Sequence, residues 1–315
     1  MNDLLRLLKR ALRPFGYDIR YRDTYNLCPC KGIPPVPELD CARRHFDYDG
    51  GTERQAAANL DDLKIVYRTC LTEARQNRGG RIGNMSASET AERCFASLTR
   101  SVNAALHEKD APRIEVLILD DHSDPSLLKK MTDIAASLKC PWRVKTTDKT
   151  GQGESLYEQF ALARGDDALY YFCEDDYLHE PRAVYELAAF YRQIYAATRR
   201  HLVLYPQEHA SLYARFFYPS YLVLSPYRHW RTACDATHQL FMHAHVVRDY
   251  WKYFENTKYV GDRKNRRKGS EKKTTNRLFK HLPCFSPIPS LAGHMQSLED
   301  LPPFFEWRKL EGGSF

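Results

Sequence analysis

Between residues 63 and 198 the chain alternates short apolar runs with segments of helical spacing, and this alternation restricts the fold more than any other feature. Residues 63–69 (LKIVYRT) read as a buried strand, and 113–119 (RIEVLIL) as a second and clearer one. Between them, 89–106 has helical spacing with Cys94, Leu98, Val102 and Ala105 on one face. A helix over 126–138, a short strand over 142–146, a helix over 154–164 and a strand over 168–173 follow. A long helix over 181–198 then opens with a proline in its first turn. Parallel strands need a crossover of a dozen or more residues, which a helix supplies, so the pattern predicts βαβ units. The expected class is α/β, with a mainly parallel twisted sheet flanked by helices.

Past residue 200 the pattern is mixed. Strand candidates occur at 201–205, 221–225 and 237–243, with a helix over 244–254, a basic loop over 258–273, a helix over 274–281 and a proline-rich end. At the other end, Leu4, Leu5, Leu7, Leu8, Ala11, Leu12 and Phe15 share helical spacing, with Arg6, Lys9, Arg10 and Arg13 between them. A basic amphipathic helix over 1–15 suits either peripheral contact with an anionic membrane surface or docking on a protein surface. Residues 16–60 are aperiodic and rich in turn signals. Cys28, Cys30, Cys41 and His45 fall there, but Cys-x-Cys is not the usual spacing of a zinc site. The organisation expected is an N-terminal extension over 1–60, one domain over 61–300 and a C-terminal tail over 301–315.

Composition narrows the class further. A hydrophobic content of 43% can fill a substantial core, which argues against global disorder. No apolar run approaches ~18 residues, so no membrane span is expected, and no cleavable leader is evident. Nine scattered cysteines suit reduced thiols, and hence a cytoplasmic location, on the inner face of a membrane if the first helix binds lipid. The net charge of +7 suits an anionic substrate, an anionic membrane or a nucleic acid, without choosing among them.

Polar residues gather where the strands end. Thr69 closes the first, Asp120-Asp121 the second, and Glu174-Asp175-Asp176 the run 168–173. Ligands of open α/β sheets bind beyond the carboxyl ends of the strands. Carboxylates converging there repel one another unless a cation compensates them, and Mg²⁺ or Mn²⁺ with oxygen ligands does so while bridging phosphates. Taken singly, 120–125 is equally a cap for the helix that follows, and 174–176 a solvated turn. Both clusters at strand ends within one alternating segment favour a site.

Three segments in order carry a family resemblance: Val116-Leu117-Ile118-Leu119-Asp120-Asp121-His122-Ser123, Gly151-Gln152-Gly153-Glu154-Ser155, and Tyr171-Phe172-Cys173-Glu174-Asp175-Asp176-Tyr177. Together they resemble the GT-A fold glycosyltransferases, and within these the mostly inverting family 2 type, over roughly residues 63–296. The resemblance implies a GT-A (Rossmann-like) fold. It also implies metal-dependent transfer of a sugar from a nucleotide-sugar donor, UDP-linked by expectation, to a glycan or lipid-linked acceptor. In such enzymes Thr69 would line the nucleotide pocket, and Asp120 or Asp121 would bond the base or ribose. Asp148 would sit near the base, and Gln152 and Gly153 would open a helix whose amides face the donor. Glu174-Asp175-Asp176 stands for the family's Asp-x-Asp, with Asp176 the foremost metal ligand and Glu174 beside it. His294 resembles the late histidine that completes the metal site in some members, and imidazole suits Mn²⁺ better than Mg²⁺.

The family's catalytic base comes from a Glu-Asp pair opening a late helix. Here the comparable stretch is Gly269-Ser270-Glu271-Lys272-Lys273, with lysine where the aspartate would be. Glu271 is the first candidate, with Asp235 and Asp262 as alternatives. The basic run that includes Lys258, Arg263 and Arg266 reads as a solvated segment from which one or two side chains reach phosphate. Three other readings stay open. Lys272 motivates a catalytically inactive GT-A domain that binds partners. A nucleotidyltransferase is disfavoured because Arg68-Thr69-Cys70-Leu71-Thr72-Glu73 lacks a glycine-rich phosphate loop. Binding of a nucleic acid through Tyr205, Tyr213, Phe216 and Phe217 is disfavoured because the acidic clusters repel phosphate.

Overall fold

The structure, a computed structural model, describes residues 58–73, 81–208, 221–233, 235–262 and 264–311. The helix expected over 1–15, the cysteines at 28, 30 and 41 with His45, and Tyr213, Phe216 and Phe217 lie outside these residues.

Four strands form the half of the sheet that periodicity predicts. They are β1 (Asp62–Thr69), β2 (Arg113–Asp120), β3 (Trp142–Thr146) and β4 (Leu169–Glu174), in the order β3-β2-β1-β4 and all parallel. The crossovers are helices α1 (Ala87–Ala105), α2 (Pro125–Ala135) and α3 (Gln152–Ala161). Alternate residues of β1 serve opposite faces. Leu63, Ile65 and Tyr67 pack with Phe95 of α1, whereas Val66 packs with Leu156 and Phe160 of α3. α1 begins with a reciprocal cap: Glu89 N–H donates to Ser86 Oγ at 3.1 Å, and Ser86 N–H to Glu89 Oε2 at 2.8 Å. Cys94, Leu98, Val102 and Ala105 are all buried, as their spacing predicts.

The second half departs further from expectation. After β5 (Tyr177–His179) and α4 (Ala183–Thr198) come β6 (Val203–Leu204), β7 (Leu222–Leu224), β8 (His229–Ala233), β9 (Leu240–His243), α5 (Ala244–Asp249), α6 (Trp251–Phe254), α7 (Arg266–Gly269), β10 (Cys284–Ile288), β11 (Ala292–His294) and α8 (Trp307–Glu311). The main sheet continues from β4 as β9-β6-β10-β8-β7, with β9 antiparallel to β4, while β5 and β11 form a separate antiparallel pair. Four strands were not expected. β5 and β11 have only three residues each, β8 carries a charge pattern with no clean alternation, and β10 contains Pro287, which normally demotes a strand. The helix expected over 244–254 breaks at Tyr250 (φ −113°, ψ 26°), and that expected over 274–281 is a 3₁₀ turn over Thr275–Lys280.

The basic segment is not an open loop. It folds into a 3₁₀ turn (Glu255–Tyr259), α7 and a second 3₁₀ turn (Glu271–Lys273). Two glycines let its backbone pack. A Cβ on Gly153 of α3 would lie 2.4 Å from the Lys258 carbonyl oxygen, and one on Gly269 would lie 2.4 Å from the Tyr259 carbonyl carbon. Residues 258–260 are thus pressed between α3 and α7, which fixes the segment as one wall beside the strand ends. The end of the described chain also packs: Phe305 and Trp307 join a small core with Met85, Leu178 and Met295. Of the described cysteines, Cys94, Cys173 and Cys284 are buried, and Cys70 and Cys140 half-buried. Among the described residues, no helix is long and apolar enough to cross a membrane.

The close approach at Gly153 predicts a strong asymmetry between glycines. Gly153→Ala should lower stability by ~1–3 kcal/mol in chemical denaturation, the usual cost of overpacking. Gly165→Ala, where an added Cβ meets nothing within 4 Å, should leave stability within about 0.5 kcal/mol of the parent.

Candidate active site

The register of β1 with β4 sets Arg68 opposite Glu174 and the register with β2 sets Thr69 opposite Asp120, so the polar strand ends lie side by side. Each carboxylate of the triplet then finds a different partner. Glu174 Oε1 pairs with Arg68 Nη2 at 2.5 Å, their side chains only 16% and 9% exposed. Arg68 Nη1 also reaches Ser155 Oγ of α3 at 3.5 Å. Burial pushes the Glu174 pKa up, against the opposing pull of Arg68. Asp175 turns back to β1, where its Oδ2 accepts from Thr69 Oγ1 at 3.0 Å and from Cys70 N–H at 3.3 Å. Its pKa too is raised, by burial and then by the adjacent Asp176.

Asp176 enters the turn to β5, and the β5–β11 ladder brings His294 to it. Met295 N–H donates to the Asp176 carbonyl at 2.8 Å, and Asp176 Oδ2 lies 3.0 Å from His294 Nε2. The imidazole stacks on Tyr177 with centroids 4.7 Å apart, and His294 N–H donates to Gln207 Oε1 at 2.6 Å. Burial disfavours both charges, yet their mutual attraction and hydrogen bond hold Asp176 below the usual carboxylate range and His294 above that of a free imidazole. Gly293 lies under Phe305, whose ring would be 2.4 Å from an added Cβ, so the chain end buttresses this strand.

These groups open on a cleft of about 430 Å³ lined by Gln152, Glu174, Asp176, His238, Glu271 and His294, with Tyr259–Gly261 and Gly269–Ser270 forming its far wall. Glu271 is partly buried, and its pKa is pushed up to about 7 by burial, then by the negative charges of Asp235 and Glu174. Asp235 itself accepts a hydrogen bond from Asn276 Nδ2. Asp262 is outside the cleft lining. It caps the next turn, accepting from Lys264 N–H at 2.8 Å and Asn265 Nδ2 at 2.7 Å, and these bonds lower its pKa. Of the basic run, Arg267, Lys268, Lys272 and Lys273 are exposed, and none lines the cleft.

The other residues expected on the nucleotide side have diverse placements. Asp120 Oδ1 accepts from Ser123 N–H at 3.0 Å and shapes the loop after β2. Asp121, 3% exposed, accepts from Gly151 N–H at 2.9 and 3.2 Å and so ties β2 to the start of α3, where Gly151 adopts φ 116°. Gln152 reaches the cleft, whereas Gly153 is buried beneath residues 258–260. Asp148 is exposed and lines a different depression with Lys145, Lys149 and Tyr157. The structure thus gathers Thr69, Gln152, Glu174, Asp175, Asp176, Glu271 and His294, and leaves Asp148 and Asp262 apart.

Three site residues escaped the reading of the sequence. Arg68 is 8% exposed, and its charge offsets Glu174, Asp175 and Asp176. The signal was available: an arginine inside the apolar run 63–69, one residue before its end, has to meet a carboxylate. Arg81 adds positive potential at Asp175 and Asp176, and its Nη1 is buried without a hydrogen-bond partner among the described residues. His238 is 5% exposed, with its Nε2 likewise buried and unpartnered, and burial with the nearby Arg68 lowers its pKa to about 3. Both unpartnered groups mark places where a polar ligand would complete the bonding.

As a ligand set, Asp176 and His294 stand together but Glu174 is held to Arg68. Among the described residues these three do not bring ligand atoms within 4.8 Å of one another. The glycosyl transferase family 2 model matches residues 87–251, just over half of the chain and including both acidic clusters. No curated protein matches the chain. Among solved structures, the chain is similar to S. aureus TarS 1–349 at 13% identity and a TM-score of 0.39, over 63% of this chain and 55% of that one. An apo UDP-glucose pyrophosphorylase aligns at 9% identity and a TM-score of 0.44, over 79% of this chain and 96% of that one. UTP-bound UGPase from Acinetobacter baumannii gives 8% identity and a TM-score of 0.41, over 79% and 92%. The chain spans about half the length of the TarS fragment it matches. With the family match running from α1 through the strand ends to α6, the chain belongs to glycosyl transferase family 2 and has its GT-A fold.

Proposed function

We propose that this protein is a metal-dependent glycosyltransferase that moves a sugar from a nucleotide-sugar donor, UDP-linked by first expectation, to a hydroxyl of a glycan or lipid-linked acceptor with inversion at the anomeric carbon. One observation carries the reading: a single cleft holds the Asp176–His294 pair and a carboxyl, Glu271, poised near neutrality.

The donor set suits Mn²⁺, with Mg²⁺ second. Asp176 Oδ2 and His294 Nε2, 3.0 Å apart, would be the two protein ligands of the ion. One carboxylate and one imidazole make a partial shell, which suits an ion that takes its remaining ligands from phosphate and water. Bound there, the ion would neutralise the departing diphosphate. Arg68 keeps Glu174 out of that shell and balances its charge. Asp175 fixes the ends of β1 and β4 to each other through Thr69 and Cys70.

Glu271 is the group for the acceptor. As the oxygen of the acceptor hydroxyl bonds the anomeric carbon, its proton passes to the Glu271 carboxylate, and the bond to the diphosphate oxygen breaks with its electron pair. A base with pKa near 7 is well matched to that transfer. Asp235, outside the cleft lining, acts through its charge, which raises Glu271. Lys272 is exposed and does not line the cleft, so the lysine replacing the family aspartate does not block it. These features favour an active enzyme over an inert binding domain. Tyr205, one aromatic considered for nucleic-acid stacking, is 1% exposed and hydrogen-bonded to Tyr177, so it is closed to bases.

Two outcomes test the assignment. Glu271 must be ionised to act, so kcat/KM for transfer should rise with pH through about 7. Glu271→Gln should retain donor binding while lowering kcat by about 10²–10⁴ and abolishing that limb. An unchanged profile moves the base elsewhere. Asp176→Asn should cut metal-dependent donor hydrolysis by about a hundredfold or more, the size of a several-kcal/mol loss. Normal hydrolysis in that variant contradicts its place at the metal.

A further inference from the structure

Three histidines meet at the end of the sheet remote from the cleft. His243 closes β9 and pairs with Leu169, the first residue of β4, which puts it about 16 Å along that strand from Glu174. His245 lies in the first turn of α5, and His201 in the stretch between α4 and β6. One ring nitrogen from each lies within 4.8 Å of those of the other two. His201 Nε2 and His245 Nδ1 are 3.2 Å apart, against about 3.3 Å for two ligands of a tetrahedral ion with ~2.05 Å metal–nitrogen bonds.

The surroundings orient the rings. His245 Nε2 meets Asp167 Oδ1 at 3.0 Å, which places the proton there and leaves the Nδ1 lone pair facing His201. His201 Nδ1 lies 2.9 Å from the Tyr191 hydroxyl, so its Nε2 is the nitrogen that faces inward. Imidazoles held from behind by a carboxylate or another oxygen in this way are the usual arrangement of metal-ligating histidines. His243 Nε2 lies 3.2 Å from the Asn59 carbonyl and 3.3 Å from Asp167 Oδ1, which places its ring proton there, so Nδ1, which accepts the His245 backbone N–H at 3.1 Å, is its ligating atom. Burial lowers all three pKa values, so the rings stay neutral and their lone pairs are available. Asp167 and Asp249 supply negative charge nearby and Arg248 the opposing positive charge.

We propose that His201, His243 and His245 bind one divalent transition-metal ion of the zinc class, distinct from the ion at Asp176, with Asp167 positioning His245. Three imidazoles suit Zn²⁺ over Mg²⁺ or Ca²⁺, which want oxygen. The ion joins the stretch before β6, the β9–α5 junction and, through Asp167, the loop before β4, so its role is to clasp the fold. His243 exchanges the His245 backbone N–H for the metal at Nδ1 and keeps its Nε2–H on Asn59.

Cobalt spectroscopy on the full chain tests this. Metal-stripped wild-type protein titrated with CoCl₂ should develop the visible absorption of tetrahedral Co²⁺, saturating at one equivalent and bleached by Zn²⁺. One equivalent of Zn²⁺ should also raise its melting temperature, an arm that needs no variant. His245→Gln, at a ring 12% exposed, should stay folded by circular dichroism and lose the band, as should His201→Gln, while Asp176→Asn should keep it. No tetrahedral band and no Zn²⁺-dependent rise in wild type overturn the proposal. So does a band that Asp176→Asn removes and His245→Gln leaves.

Discussion

Three consecutive carboxylates leave β4 together, and the protein gives each a different partner. Grouped anions largely out of water are costly unless each has a partner. Arg68 on β1 meets Glu174, the Thr69 hydroxyl and the Cys70 amide meet Asp175, and His294 on β11 meets Asp176. The parallel register of β1 and β4 and the pairing of β5 with β11 are what make this possible. A one-residue slip in either ladder would point Arg68 or His294 to the wrong face. The site and the sheet are therefore one solution to a single electrostatic problem.

The second wall of the cleft follows from backbone packing. Residues 258–260 approach α3 and α7 so closely that only glycine fits at 153 and 269, and this carries Glu271 to within electrostatic reach of Glu174. Lys264, Arg267, Lys268, Lys272 and Lys273 are exposed, and the positive charge acting on the triplet includes Arg68, Arg81 and His294. A formal count of basic residues along the loop would have put the positive potential in the wrong place.

What the sequence made legible follows the strength of its local signals. β1 to β4 and their helices have long, clean periodicities, and the strand-end carboxylates follow from them. β5, β8, β10 and β11 are too short, too charged or too proline-bearing for local pattern to reveal, since their pairing partners fix them. The partnership of Asp176 and His294, 118 positions apart, came from resemblance alone. Asp148 and Asp262 were plausible by position, yet one side chain faces a neighbouring depression and the other caps a turn. His201, His243 and His245 had no sequence signal beyond His-x-His, because the third member arrives through the crossover after α4.

In the proposed function the Asp176–His294 pair and the cleft beside it bind a nucleotide sugar together with a metal. The most direct measurement is the melting temperature of the full chain with a panel of nucleotide sugars, with and without Mn²⁺. At least one donor, a UDP-sugar first, should raise it by several degrees, with Mn²⁺ required and the rise lost in His294→Gln. No shift with any donor in the presence of Mn²⁺, or a shift indifferent to both the metal and His294, would place donor and metal elsewhere than at this pair.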